Sequence, residues 1–134
     1  MIVDVEPMAN LRPMDVFSTD FFKFRGSDYL VGVDKFSLMP FYKLTRSTST
    51  KDAIQALTDW FHWSGWPREL RADGGPAFRD TFKDWCHDHG IRYEPSSPYN
   101  APSNGLAEKA VGQVKRTLRR ALRTWTLPCK STET

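Results

Sequence analysis

Three acidic residues stand where a metal-dependent active site would form in an α/β protein. Asp20 lies within the first predicted strand, Asp73 follows a later strand, and Glu108 lies near the start of the last helix. Strand ends and helix starts of such a sheet converge on one crevice, so the three carboxylates could meet there. Carboxylate oxygens suit Mg²⁺ or Mn²⁺, and two such ions can hold the attacking and leaving oxygens of a displacement at phosphorus.

Position alone does not single out these three residues. The chain has 16 acidic side chains, and solvated surface carboxylates are the simpler interpretation of most of them. Asp15 and Asp34 are alternatives to Asp20 as the first metal ligand. Asp15 precedes Asp20 by an odd number of residues, so in a regular strand the two side chains face opposite sides. Asp34 ends the second predicted strand, where a turn begins.

The elements that must position these residues follow the order β-β-β-α-β-α-β-α. Two strands around Arg25-Gly26-Ser27 predict a hairpin, and Ser49 and Asp52 have the spacing of a helix capping box. The predicted elements are strands 15–24, 28–36 and 39–45, a helix that ends by Gly65, strand 69–72, helix 78–89, strand 91–93, and a long helix through Leu106, Ala110, Val114, Leu118 and Leu122. We therefore expect an α/β fold in which helices flank a mixed five-stranded sheet.

The bulk properties indicate a single globular domain. At 134 residues, the chain is expected to form one domain over 1–134, ordered from about 13 to about 124 with frayed ends. No apolar run reaches the roughly eighteen residues of a membrane span, so no membrane partner is expected. Cys86 and Cys129 form no paired framework and the start of the chain has no secretory pattern, which predicts an intracellular location, nuclear in a eukaryote.

The positive charge is concentrated at the C-terminal end. The chain through Ala107 has 12 basic and 14 acidic residues, whereas the remainder has 7 basic and 2 acidic ones. On the last helix, Lys115 and Arg119 lie about 20° to either side of Glu108, at roughly 100° per residue, so both can flank a metal site and contact phosphate. The same geometry directs three other arginines elsewhere, where they keep the protein soluble or meet a partner: Arg116, Arg120 and Arg123.

Two other groupings have structural interpretations. The run Cys86-His87-Asp88-His89 is consecutive on one predicted helix, whereas a structural zinc site needs paired ligands with a wider second pair, so we assign no zinc there. Four large rings exceed what one short helix can bury on one face, and part of this group can line a subunit interface: Trp60, Phe61, Trp63 and Trp66.

Four stretches of the sequence together carry a family resemblance: STDFFKFRGSDYLVGVDKFS, RADGGPAF, FKDWCHDHGI and SSPYNAPSNGLAEKAVGQVK. From about Pro13 to Leu122 the chain resembles the integrase catalytic core of retroviruses and Ty3/gypsy-type retrotransposons, a DDE polynucleotidyl transferase. The most specific part is the run Asp73-Gly74-Gly75-Pro76-Ala77-Phe78, which is similar to the D-x-G-x-x-F motif of the family. The second is Ser96-Ser97-Pro98-Tyr99 followed by SNGLAE, which ends at Glu108.

The resemblance implies a ribonuclease H-like fold and a site with Mg²⁺ or Mn²⁺, two ions in all. By this resemblance Asp20 bridges both metals, Asp73 completes one metal site and Glu108 the other. The implied function is metal-dependent DNA-strand transfer: processing of a 3′ end, then transfer of that end into target DNA. The partners are DNA and further copies of the chain, in a dimer at least. The residues expected to contact DNA are Tyr99, Asn100, Asn104, Lys115 and Arg119.

The sequence departs from the family pattern at two places. There are 34 residues between Asp73 and Glu108, one fewer than the usual retroviral spacing, and a turn near Arg79-Asp80-Thr81 can absorb the difference. Asn100-Ala101-Pro102 stands where gypsy-like relatives commonly have His-Pro-Gln. Proline restricts the backbone conformation of the residue before it, so here the restricted residue is Ala101 instead of Asn100. The second departure bears on the loop expected to contact DNA.

Two other functions fit the same residues. A cut-and-paste transposase would use the same three carboxylates, so it is the nearest enzymatic alternative. An inactive or host-adopted integrase remnant would instead serve as a DNA-binding or interaction module. Turnover with Mg²⁺ or Mn²⁺ distinguishes the enzymes from the binding module.

Overall fold

The chain alternates strands and helices in the predicted order. The computed structural model describes residues 11–72, 75–95 and 105–133, with the backbone alone at Pro95 and over 123–133. The elements are β1 (Val16–Phe24), β2 (Ser27–Asp34), β3 (Pro40–Thr45), α1 (Thr50–Ser64), β4 (Glu69–Ala72), a 3-10 turn (Pro76–Phe78), α2 (Asp80–Asp88), β5 (Arg92–Pro95) and α3 (Gly105–Glu133). The expected fraying near the C-terminal end stays a prediction.

The five strands form one mixed sheet in the order β3-β2-β1-β4-β5. β1 pairs antiparallel with β2 and parallel with β4, so it lies at the centre. The hairpin between β1 and β2 turns through Arg25 and Gly26, whose φ angles of 52° and 80° are both positive. Two positive φ angles are what a tight two-residue hairpin turn requires. The predicted mixed five-stranded sheet and its hairpin are confirmed.

Helices cover both faces of the sheet, and β1 contributes alternately to each. Phe17 packs with α1 and α2 on one face, whereas Phe22 and Phe24 pack with α3 on the other. Successive strand residues face opposite sides, so Asp20 belongs to the same face as Phe22. Its strand partner Val31 is fully buried in the cluster beneath α3, which agrees with this assignment.

The α1 face is held close to the sheet at Gly32 in the middle of β2. A Cβ atom there would lie 2.5 Å from Cε1 of Phe17 and 2.9 Å from Cζ3 of Trp60. Those separations are below any normal contact, so only glycine lets both rings approach the strand. Trp60 and Phe41 then pack edge to face with their ring centroids 5.7 Å apart.

Side-chain hydrogen bonds fix the segment that follows β4 beside β1. Ser49 caps α1, since its hydroxyl accepts from the amide of Asp52 at 3.2 Å. The hydroxyl of Thr50 donates to the carbonyl of Ala77 at 2.7 Å, and that of Tyr93 donates to the carbonyl of Phe78 at 2.7 Å. The 3-10 turn is thereby tied to α1 and to β5. None of the helices in the described part of the chain is long and apolar enough to cross a bilayer.

Candidate active site

Asp20 lies at the wall of a small cavity. Its side chain is half-buried, and Oδ1 accepts a hydrogen bond from the amide of Phe21 at 2.8 Å. The cavity has a volume of about 180 Å³ and is lined by Asp20, Phe21, Thr48, Gly75, Pro76, Ala77 and Phe78. It therefore opens between the middle of β1 and the segment that follows β4.

The parallel pairing of β1 with β4 sets the geometry at this edge. The paired residues are Val16 with Glu69, Phe17 with Leu70, and Ser18 with Arg71. Asp20 comes two residues after the last pair on β1, beyond the described end of β4. It thus lies in the crevice at the carboxyl ends of parallel strands, where open α/β sheets bind ligands.

Glu108 lies in the first turn of α3 and is exposed. Ala107 and Ala110 of the same helix are buried, and Ala110 belongs to the same hydrophobic cluster as Val31 of β2. The helix therefore brings Glu108 to the side of the sheet to which Asp20 belongs. The positive end of the helix dipole favours an anion in this turn, which stabilises a carboxylate there.

Lys115 reaches the same face of the sheet from two turns further along α3. Its Nζ atom is 5.9 Å from the centre of the Phe22 ring, close enough for a cation–π contact. Phe22 is two residues beyond Asp20 on the same side of β1, so Lys115 contacts the face of the sheet to which Asp20 belongs. Lys115 is half-buried, whereas Arg119, one turn further, is exposed.

The alternatives to Asp20 have structural partners of their own. Asp34 is only 6% exposed, and its Oδ1 accepts from the amides of Met14 and Phe36, both at 3.2 Å. Oδ2 of Asp15 accepts from the amide of Arg12 at 2.9 Å. Both carboxylates therefore fix loops at the opposite end of β1 from the cavity.

The comparisons with known proteins agree with the architecture. A family model, "Integrase core domain", matches residues 10–101. The chain belongs to the integrase core family. It is 32% identical over 113 residues to the Gag-Pro-Pol polyprotein of sheep pulmonary adenomatosis virus, which covers 81% of the chain and 6% of that protein. It is 36% identical over 92 residues to the uncharacterized protein K02A2.6 of Caenorhabditis elegans, covering 68% of the chain and 7% of the relative.

Solved structures show the same fold. The simian T-cell lymphotropic virus intasome in complex with PP2A regulatory subunit B56 gamma aligns with a TM-score of 0.77 and 28% identity over 86% of this chain and 43% of the other. The HTLV-2 integrase catalytic core domain in complex with magnesium aligns with a TM-score of 0.72 and 23% identity over 87% of this chain and 77% of the other. This integrase core is thus ribonuclease H-like, and it spans less than a tenth of the curated relatives above.

Four of the predicted site residues lie outside the described part of the integrase core: Asp73, Tyr99, Asn100 and Asn104. The grouping of three carboxylates therefore stays a prediction. Within residues 11–72, 75–95 and 105–133, no three His, Cys, Asp or Glu side chains are close enough to hold a metal ion. The family match ends at residue 101, so the roles of Glu108, Lys115 and Arg119 rest on the sequence motif and on the helix geometry.

Two residues of the run Cys86 to His89, Cys86 and His89, contact neighbouring side chains. Burial raises the pKa of the Cys86 thiol to about 12, so the free thiol stays protonated at neutral pH. Nδ1 of His89 donates to the carbonyl of Trp85 at 2.9 Å. The ring of His89 stacks on Trp66 with the centroids 4.6 Å apart.

Thr48 lines the same cavity as Asp20, a neighbour that the sequence pattern does not indicate. It follows β3 in a run of serines and threonines that has no metal-binding or catalytic spacing. The hydrogen bond from Thr50 to Ala77 ties the end of this run to the wall of the cavity. A contact between two loops distant in sequence has no local signal, so the pattern of residues could not reveal it.

Proposed function

We propose that this integrase core catalyses metal-dependent DNA-strand transfer with Asp20, Asp73 and Glu108 as its three carboxylates. The register of β1 with β4 carries the proposal. The last described pair, Ser18 with Arg71, comes two residues before Asp20 on one strand and two before Asp73 on the other. Leu70 and Ala72 pack on the α1 face. If the pairing of β1 with β4 and the alternation of side chains continued for two more residues, position 73 would lie opposite Asp20. It would then be on the face of the sheet that α3 covers, towards Glu108.

The donor set fits a hard divalent cation. Asp20 and Glu108 are on the same side of the sheet, and all three proposed ligands are carboxylates, which Mg²⁺ and Mn²⁺ prefer. The HTLV-2 core, which shares the fold, is a complex with magnesium. When bound, two such ions supply Lewis acidity and neutralise the charge that develops at the phosphorus. Asp20 would contribute to the sites of both ions, Asp73 to one of them and Glu108 to the other.

The reaction proceeds in two in-line displacements at phosphorus. Water attacks a phosphodiester near the end of a DNA strand, and the bond from phosphorus to the 3′ oxygen breaks, which leaves a 3′-hydroxyl. That hydroxyl then attacks a phosphodiester of the target strand, so that one phosphorus–oxygen bond forms and another breaks. The side chains of this chain act by holding the phosphate groups in line, because position and charge supply most of the catalysis in such transfers.

The basic residues of α3 hold DNA against this site. Lys115 is half-buried and contacts Phe22, on the face of the sheet to which Asp20 belongs. Arg119 extends the same helix face into solvent and is exposed. Contacts of this kind to phosphate position a strand without reading its sequence. Tyr99, Asn100 and Asn104 are the further proposed DNA contacts, from the loop before α3.

A second copy of the chain is the proposed partner at the β3 edge of the sheet. The exposed large apolar side chains here form what we call the edge surface: Phe36, Leu38, Met39, Tyr42, Leu44 and Trp63. The side chain of Trp63 is 80% exposed. Together with Phe41 and Trp60 it lines a groove of about 520 Å³. Clustered apolar exposure of this kind marks an interface in a protein that otherwise buries its rings. The HTLV-2 core also occurs in dimeric and trimeric forms.

Replacing Asp73 with asparagine should abolish strand transfer and leave the fold intact. The amide keeps the shape of the side chain but removes the charge that a divalent ion needs, so the Mn²⁺-dependent rate should fall by at least about 100-fold. A strand-transfer or reverse-reaction assay on oligonucleotides measures the rate, and circular dichroism checks the fold. Asp84→Asn, an exposed carboxylate on α2, is the matched control and should keep its activity. A normal rate for Asp73→Asn contradicts the assignment of Asp73 as a metal ligand. A wild-type protein without turnover contradicts the proposed enzyme and favours the alternative, an integrase remnant that binds DNA.

Replacing Lys115 with alanine should weaken DNA binding for every sequence tested. Loss of one phosphate contact should lower the slope of log affinity against log salt concentration by about one unit. Fluorescence anisotropy of a labelled duplex over a salt series measures this slope. Arg120→Ala is the control, because it removes the same charge about 120° round the helix from Glu108. Equal losses for the two variants would mean that only diffuse positive charge matters.

Replacing Trp63 with serine should shift the chain from dimer to monomer. The exposed ring contributes little to the core of the monomer, so the variant should fold normally while its dimer dissociates at concentrations at least about tenfold higher. Sedimentation equilibrium measures the association, with Lys51→Ser at the other end of α1 as the control. A wild-type protein that remains monomeric, or a variant that dimerises as tightly as wild type, refutes the edge surface as the interface.

A further inference from the structure

The 3-10 turn (Pro76–Phe78) forms one wall of the cavity that Asp20 lines. Gly75, which begins this wall, comes two positions after Asp73, a proposed metal ligand outside the described residues. The place of the turn relative to β1 therefore affects the geometry of the proposed metal site. What holds the turn in that place is a separate question from which residues bind the metal.

Two carbonyl groups at the end of the turn need hydrogen-bond donors from elsewhere in the chain. Ala77 and Phe78 are 7% and 3% exposed. The hydrogen bond of the turn itself joins the amide of Phe78 to the carbonyl of Gly75 at 2.9 Å, so it satisfies neither of these two carbonyls. The last carbonyls of a helix have no partner within it, and a buried carbonyl without a donor is costly.

The hydroxyls of Thr50 and Tyr93 supply these donors from two different elements. Thr50, the first residue of α1, donates to the carbonyl of Ala77 at 2.7 Å. Tyr93, in β5, donates to the carbonyl of Phe78 at 2.7 Å. Both side chains are half-buried, which limits competition from water. The backbone of the turn is thus held at two adjacent carbonyls, by α1 and by β5.

Ring packing also holds the turn, but in a different way. The ring of Phe78 lies 5.7 Å from that of Phe21 and 4.9 Å from that of Phe82, and the ring of Phe82 lies 5.3 Å from that of Tyr93. Apolar contacts are not directional, whereas hydrogen bonds are. The rings therefore keep the turn against the sheet, and the two hydroxyls fix where its backbone lies.

We propose that Thr50 and Tyr93 are positioning residues for the proposed metal site. Their hydroxyls hold the 3-10 turn, and with it the start of the cavity wall, at the separation from Asp20 that a divalent ion requires. Mg²⁺ demands near-ideal geometry from its ligands, so a small shift of the turn weakens binding. The two residues act through the turn and not by contact with the ion. This inference rests on the proposed function and adds two residues to it.

Variants that remove only the hydroxyls test the inference on the full chain. Thr50→Val and Tyr93→Phe keep the approximate shape of each side chain, and the phenylalanine keeps the ring contact with Phe82. Titration with Mn²⁺, followed by the electron paramagnetic resonance signal of the free ion, measures metal affinity without turnover. The dissociation constant for Mn²⁺ should rise on the order of tenfold in each variant. Thr50→Ser keeps a hydroxyl and should bind Mn²⁺ as tightly as wild type.

Two control variants of α1 separate positioning from a loss of stability. Ile54→Val removes part of a half-buried apolar side chain one turn after Thr50 and should lower Tm by about 2–6 °C. Ser64→Ala removes a hydroxyl that donates to the carbonyl of Trp60 at 3.0 Å, at the other end of the helix. Both controls should bind Mn²⁺ as wild type does, because neither changes a bond to the 3-10 turn.

The outcomes distinguish this inference from the proposed function. Wild-type Mn²⁺ affinity for Thr50→Val or Tyr93→Phe overturns the inference and leaves the proposed function in place. An equal loss of affinity for Ile54→Val, or no recovery in Thr50→Ser, also overturns it, because the effect would then be one of stability. A wild-type protein that binds no Mn²⁺ refutes the proposed function and the inference with it.

Discussion

The alternation of side chains along β1 is the constraint on which both the fold and the site depend. β1 is covered on both faces, so Phe17 must enter the cluster with α1 while Phe22 and Phe24 enter the cluster with α3. The same alternation sends Asp20 to the α3 face, the side on which Glu108 begins its helix. A shift of the strand by one residue would exchange the two hydrophobic sets and remove the carboxylate from the crevice. Core packing thus fixes the position of a polar residue that itself contributes nothing to the core.

The proposed site would bring together groups that favour ligand binding over stability. Neighbouring carboxylates repel one another until a divalent cation offsets their charge. Such costs are tolerated where the ligand recovers them. By contrast, the carboxylate of Asp34 is buried and hydrogen-bonded to two amides, as structural acidic residues are.

Local signals in the sequence predicted most of the fold. Arg25-Gly26 predicted the hairpin. Ser49 and Asp52 predicted the start of α1, and Gly65 predicted its end. These signals are local because turn and cap residues act within a few positions. The helical spacing that places Lys115 on the same helix face as Glu108 is also a local signal. Contacts between distant segments were not predictable in this way: the buried role of Asp34 depends on Met14, and the approach of Thr48 to the cavity depends on Ala77. The helical spacing directed Arg116 away from the face of Glu108, whereas Nη1 of Arg116 lies 3.8 Å from the place that a Cβ atom of Gly112 would take. A helical wheel gives the position of Cα and not the course of a long side chain.

Anomalous diffraction from crystals of the full chain grown with Mn²⁺ tests the central claim most directly, because it locates the metal and its ligands without relying on turnover. We expect a manganese peak between the middle of β1 and the C-terminal end of β4, with carboxylate oxygens of Asp20 and Asp73 in contact at about 2.0–2.2 Å and Glu108 facing the same crevice. A peak bound by other residues, or a crevice that takes up no manganese while Asp20 and Asp73 point away from each other, would contradict it.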